Sequence, residues 1–143
     1  MSIGRICSRV VATASPNETG RAIAERMAEH NVGTVVVVQE QKPVGIVTDR
    51  DLAIRVLGAG LNPDTAVDDI MTESVRTLDE STPIEEALTS MKSSGVRRIV
   101  VTGEDGALAG IISLDDVLEL LVEEVESVGA ILREESPRMK GGT

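Results

Sequence analysis

The stretch Gly45-Ile46-Val47-Thr48-Asp49-Arg50-Asp51 returns later in the chain as Gly110-Ile111-Ile112-Ser113-Leu114-Asp115-Asp116. Each copy has the form Gly-x-x-(Thr/Ser)-x-x-Asp, follows an apolar run and opens a helical pattern. One motif used twice on the same kind of element makes the chain a tandem repeat, a constraint that precedes every other reading. Val11 matches Val75, Met27 matches Met91 and Val32 matches Val96, all at an offset of 64. From Gly45 onward the offset is 65, so one residue is inserted, and it falls in the turn Gly103-Glu104-Asp105-Gly106, where insertion is cheapest.

A half of about sixty residues buries only roughly 60% of its unfolded surface alone, so the two halves are expected to share a core. The 143 residues include no Phe, Tyr or Trp, which leaves the core to Val, Ile, Leu, Ala and Met. It also leaves no ring on which a base stacks. Asp and Glu number 24 against 14 Lys and Arg, a net charge of −10. Such a chain repels phosphate backbones and anionic lipid, which argues against general nucleic-acid or membrane binding. Cys7 stands alone and matches Met71, so it reads as an apolar packing residue. His30, also alone, suits the end of a helix rather than a metal. The opening residues are no signal peptide and no apolar run approaches eighteen residues, so a cytoplasmic protein is expected.

The pattern predicts, in the first copy, a short strand over 10–13, a helix ending near His30, strands over 34–38 and 44–47, and a helix from Thr48 to about Leu57. Two helix starts compete, Ser15 with Glu18 or a start nearer Thr19, and the repeat favours the second. The valine run at 34–38 reads as a strand covered on both faces, and the short connection after it as an antiparallel hairpin. The second copy has a strand over 75–77, a helix begun by Thr82 as cap with Pro83 and Glu85, and a hairpin of strands 98–102 and 108–112. Ser113 opens a last helix that outruns its counterpart. Leu118, Leu121, Val122, Val125, Val128 and Leu132 keep a three-or-four spacing between acidic flanks. This stripe packs onto its own chain or onto a second one, the second being favoured; residues 136–143 read as a frayed tail.

Taken alone, Thr48 with Asp51 and Ser113 with Asp116 are helix caps, hydroxyl and carboxylate each satisfying a first-turn N–H. The same geometry offers a ligand free N–H donors and a carboxylate for vicinal hydroxyls such as those of a ribose. Phosphates need cations, and Arg50, Arg97 and Arg98 are at hand, or are plain surface charges. An enzyme is the weakest reading: Cys7 and His30 have no evident catalytic partners. No phosphate-loop signature is present, and Gly58-Ala59-Gly60 follows a helix instead of a strand.

The order strand, helix, strand, strand, helix, twice over with that motif, resembles a tandem pair of CBS (cystathionine β-synthase) domains, a Bateman module. The resemblance rests on Val32-Gly33-Thr34-Val35-Val36-Val37, on the first motif, on Asp69-Ile70-Met71-Thr72 and on Gly95-Val96-Arg97-Arg98-Ile99-Val100. It implies an α/β fold of the α+β type, two β-α-β-β-α units packed through their sheets about a pseudo-twofold axis. The units are placed at 6–58 and 70–122, with a linker at 59–69 and a helical extension at 123–135. It implies a regulatory module with two clefts for an adenosine-containing ligand: AMP, ADP, ATP, S-adenosylmethionine, NAD or a cyclic dinucleotide. Asp51 and Asp116 hold ribose hydroxyls in that scheme, Thr48 and Ser113 the ribose or phosphate end, and Val11, Val32, Val75 and Val96 the base. The second motif has Leu114-Asp115 where the first has Asp49-Arg50. Its site therefore lacks a local arginine and is expected to take a less charged ligand or stay empty. No catalytic residue, metal or required cofactor is implied; a homodimer and a separate effector protein are the expected partners. The competing expectation is a structural or interaction protein that binds no nucleotide.

Overall fold

Each copy builds a three-stranded sheet around its β-branched run. The coordinates are a computed structural model that describes the backbone of residues 1–141 and the side chains of residues 1–135. In the first copy β1 (Thr13–Ala14) lies parallel to β2 (Thr34–Gln39), which pairs antiparallel with β3 (Lys42–Thr48). In the second, β4 (Thr77–Asp79), β5 (Arg98–Thr102) and β6 (Leu108–Ser113) repeat the arrangement. Both short strands sit later than the sequence pattern places them, so Val11 and Val75 lie just ahead of them. The first hairpin turns at Glu40 and Gln41, both left-handed with φ of 52° and 68°. That mirror-image turn matches the twist of the strands it joins. The second hairpin is longer, and its helical turn Glu104–Gly106 absorbs the inserted residue where expected.

Helix α1 (Gly20–His30) starts as the repeat alignment predicts: the Thr19 hydroxyl accepts from Ala22 N at 3.1 Å. Asn31, left-handed at φ 52°, ends it. The rival start at Ser15 is used otherwise, since Glu18 accepts from Ser15 N and pairs with Arg26 at 2.6 Å. Arg26 also donates to the Thr13 carbonyl at 2.9 Å, which fastens α1 to β1. The hydrogen bonds Arg26 donates to the Glu18 carboxylate hold that carboxyl below its ordinary range. Helix α3 (Ile84–Ser94) corrects the expected capping box. Pro83 itself occupies the cap position and no side chain caps the helix. Thr82 is buried, and its carbonyl accepts from Ile3 N at 2.8 Å.

The helix after the first motif begins as α2 (Asp49–Asp51) and widens into a π-helical stretch over Leu52–Gly58. Helix α4 (Leu114–Gly141) is far longer. The expected tail from Ser136 continues its backbone to Gly141; Gly142 and Thr143 lie outside the described residues. Leu118, Leu121, Val122, Val125, Val128 and Leu132 are each at least half exposed, so the stripe does not pack back onto its own chain. No helix is long and apolar enough to cross a membrane among the described residues.

The two halves are joined by an exchange. Val35, Val37, Val47, Ile23 and Met27 form the first core, completed by Val67 and Ile70 from the stretch ahead of the second copy. Ile99, Val101, Ile112, Ala87 and Met91 form the second, completed by Ile3 and Cys7 from the start of the chain. Ile3 N donates to Thr82 O, and its counterpart Val67 N donates to Glu18 O at 2.7 Å. Ser8 exchanges two backbone bonds with Ile111, and Thr72 exchanges two with Ile46. Each sheet thus carries the other copy's lead-in on its free edge. Val36 and Val100, on the opposite faces of β2 and β5, are buried too, as strands covered on both sides require.

The glycine heading each motif is where the lead-in passes. A Cβ on Gly110 would stand 2.5 Å from Ser8 O and 2.9 Å from Cys7 Sγ. A Cβ on Gly45 would meet the side chain of Met71. Cys7 is therefore the packing residue its match with Met71 implies, and burial pushes its thiol pKa up. Among the described residues no leucine is buried; the cores are valine, isoleucine, methionine and alanine, with Cys7.

Urea unfolding is expected to show Ile3→Ala costing about 3 kcal/mol, as for other deeply buried aliphatic truncations. Gly110→Ala should cost about 2 kcal/mol, since it collides with backbone. Gly45→Ala should cost less, because a flexible methionine gives way. Glu18 supplies a pH test. Its carboxyl is lowered in the fold, so its contribution is complete above about pH 4.3, the ordinary glutamate value, and fades as pH falls through the folded value. Glu18→Gln should therefore lower stability at pH 7 and shrink the loss seen on acidification below pH 4.

Candidate functional site

Both motifs close their helices in the same way. Thr48 Oγ1 accepts from Asp51 N at 3.1 Å, and Asp51 Oδ2 accepts from Thr48 N at 2.9 Å. Ser113 Oγ accepts from Asp116 N at 3.1 Å, and Asp116 Oδ2 accepts from Ser113 N at 2.8 Å. The capping reading of the motif is therefore correct, and it uses one oxygen of each carboxylate. What the second oxygen meets differs. Asp51 Oδ1 lies 3.4 Å from Arg55 Nη2. Asp116 Oδ1 has no partner among the described residues, and Asp116 lines a cavity of about 330 Å³.

That cavity is built across the seam between the copies. Its walls include Val10, Val11 and Ala12 from the segment before β1, Val32 and Thr34 at the start of β2, and Arg98, Ile111, Ser113 and Asp116 from the second copy. The parallel pairing of β1 with β2 brings Val11 beside Val32. The Ser8–Ile111 bridge carries that pair to the end of β6, where Ser113 and Asp116 stand. The site thus has an apolar wall without rings, a hydroxyl, a carboxylate oxygen left over from capping, and a guanidinium. Arg98 is exposed apart from this wall, free to reach an anion.

Of the residues singled out in the sequence, the fold brings Val11, Val32, Arg98, Ser113 and Asp116 together. The grouping crosses the copies: Val11 and Val32 of the first copy line the same cavity as Ser113 and Asp116 of the second. The second motif has no arginine of its own, and Arg98, at the start of β5, lines the cavity beside it. Thr48, Asp51 and Val75 do not line this cavity. Arg50 is exposed on α2 and makes no side-chain bond among the described residues. Val96 lines a different hollow, with Leu88, Met91, Arg97 and Leu114. A cavity of about 380 Å³ adjoins the first through Val10, Val11, Ala12 and Val32, and adds Arg26 and His30. Thr34 and Ser8 were missed. Thr34 is the counterpart of Arg98 at the 64-residue offset, which is the signal that would have found it.

Comparison with known proteins agrees with this architecture. The family model for the CBS domain matches twice, over residues 3–58 and 67–123. An uncharacterized protein of Methanopyrus kandleri is 41% identical over 122 residues, covering 84% of this chain and 62% of that protein's length. The solved CBS domain pair of protein MJ0100, in complex with 5′-methylthioadenosine and S-adenosyl-L-methionine, superposes with a TM-score of 0.76 at 25% identity, covering 87% of this chain and 98% of that one. A CBS domain protein of Pyrobaculum aerophilum complexed with AMP gives 0.74 at 25% identity, over 85% of this chain and 99% of that one. With both halves matched and the two sheets laid out as described, the chain belongs to the CBS domain family, as a tandem pair.

Proposed function

We propose that this chain is a regulatory module that binds an adenosine-containing ligand in the cavity at Asp116 and answers with a change of shape. One observation carries the reading: Asp116, with an unengaged carboxylate oxygen, and Arg98 line the same cavity as Val11, Val32 and Ile111. Asp116 Oδ1 accepts from ribose hydroxyls, the Ser113 hydroxyl donates toward the ribose or phosphate, and Arg98 meets phosphate. Val11, Val32 and Ile111 cover the base. Hydrogen bonds to charged groups contribute about 1.5–3 kcal/mol each. Two of them with a buried base reach about −8 kcal/mol, or micromolar affinity. The solved pairs that hold AMP, methylthioadenosine and S-adenosylmethionine support the ligand class. AMP, ADP, ATP, S-adenosylmethionine and NAD are the candidates here.

Because the cavity takes walls from both copies, a ligand in it favours one placement of the copies over others. A response follows only from such a difference in affinity. The receiver is a second copy of the chain, docked on the exposed α4 stripe, or a separate effector protein in the cytoplasm. No chemistry on the ligand is proposed. The rival reading, an interaction protein without nucleotide, draws on the capping role that Ser113 and Asp116 already fill.

Isothermal titration against those five compounds should give micromolar binding for at least one. Asp116→Asn keeps an oxygen for the cap and should weaken it about tenfold; Asp116→Ala should weaken it more. Unaltered heat in a folded Asp116→Ala protein would sink the site, and silence across the panel would favour the rival. Sedimentation should show a dimer that Val125→Lys converts to monomer.

A further inference from the structure

The two motifs are near copies, yet their carboxylates have unlike neighbours, and the difference comes down to one position. Four residues after Asp51 stands Arg55; four after Asp116 stands Leu120. An ion pair at that spacing on a helix is weak and alone would not hold an arginine in place. Arg55 is held by more. Its Nη1 donates to the carbonyl of Ile70 at 2.7 Å and its Nη2 to Thr72 Oγ1 at 3.0 Å. Ile70 is almost wholly buried in the first core, and Thr72 is fixed by its two bonds to Ile46. The lead-in of the second copy therefore pins the guanidinium, and pins it beside Asp51 Oδ1. Thr48 and Asp51 line none of the cavities described above.

We infer that Arg55 withholds the first motif's carboxylate from ligand, so that the chain binds one adenosine-type ligand, at Asp116, and not two. The inference rests on the function proposed above and sharpens it. A hydroxyl approaching Asp51 must compete with a fixed cation for the oxygen that Asp116 leaves open. Arg55 acts here through Asp51, as a positioning residue. It also ties that carboxylate to the segment exchanged between the copies.

Titration with AMP, following both stoichiometry and affinity, tests this. Wild type should bind one AMP per chain, unchanged by Asp51→Ala. Arg55→Leu should bind a second AMP, while Arg55→Lys stays at one. Should Arg55→Leu fail to fold, the converse change answers the question: Leu120→Arg sets a guanidinium four residues after Asp116 and should weaken AMP at least tenfold. Two AMP per wild-type chain would overturn the inference and leave the proposed function standing. One AMP in a folded Arg55→Leu protein, or unchanged affinity in Leu120→Arg, would also overturn it. No binding of AMP to wild type, with another adenosine compound bound, moves the same measurements to that compound, whose count decides in the same way. No binding of any removes both.

Discussion

Two buried aliphatic side chains, Ile3 and Val67, sit in cores to which their own copies do not belong. Each is 0% exposed and each brings a backbone N–H that bonds the loop ahead of the other copy's helix. Burial of one such side chain is worth about 2 kcal/mol. For halves of this size, with no aromatic side chain to enlarge either core, the exchange is what makes two incomplete units into one stable body. The motif glycines follow from it. Gly45 and Gly110 lie on the outer strands where the exchanged segment crosses, against the Met71 side chain in one copy and the Ser8 backbone in the other.

The same exchange makes the cavity. By drawing the start of the chain onto β6, it lays the approach to β1 against the end of the second motif. Val11 and Val32 then face Ser113 and Asp116. The motif divides its labour accordingly: glycine clears the crossing, hydroxyl and one carboxylate oxygen close the helix, and the remaining oxygen is left to the environment. In one copy that environment is an open cavity; in the other it is a guanidinium held by the crossing segment itself.

Periodicity and repetition made most of the fold legible. The valine runs, the two hairpins, the place of the inserted residue and the start of α1 at Thr19 all follow from local chemistry. The start of α3 did not, because its first N–H, that of Ile84, donates to the carbonyl of Met1, about eighty residues away, and no local rule sees that partner. The π-helical turn after Asp51 left no mark that was read. For the site, residue types were legible and their grouping was not. Residue types and spacing name Val11 and Asp116 as candidates, and the crossing of the lead-ins is what sets both on one cavity. The role of Arg55 needed coordinates too, since its anchors at Ile70 and Thr72 lie in what sequence spacing marks as the start of the next unit.

The exchange also bears on synthesis. In synthesis Ile3 and Cys7 precede by about a hundred residues Ile99, Ile112 and Val117, which enclose them. The first half receives Val67 and Ile70 promptly and is able to close while the rest is still being translated. The segment around Ile3 and Cys7 waits, unhoused, until the second copy has been made.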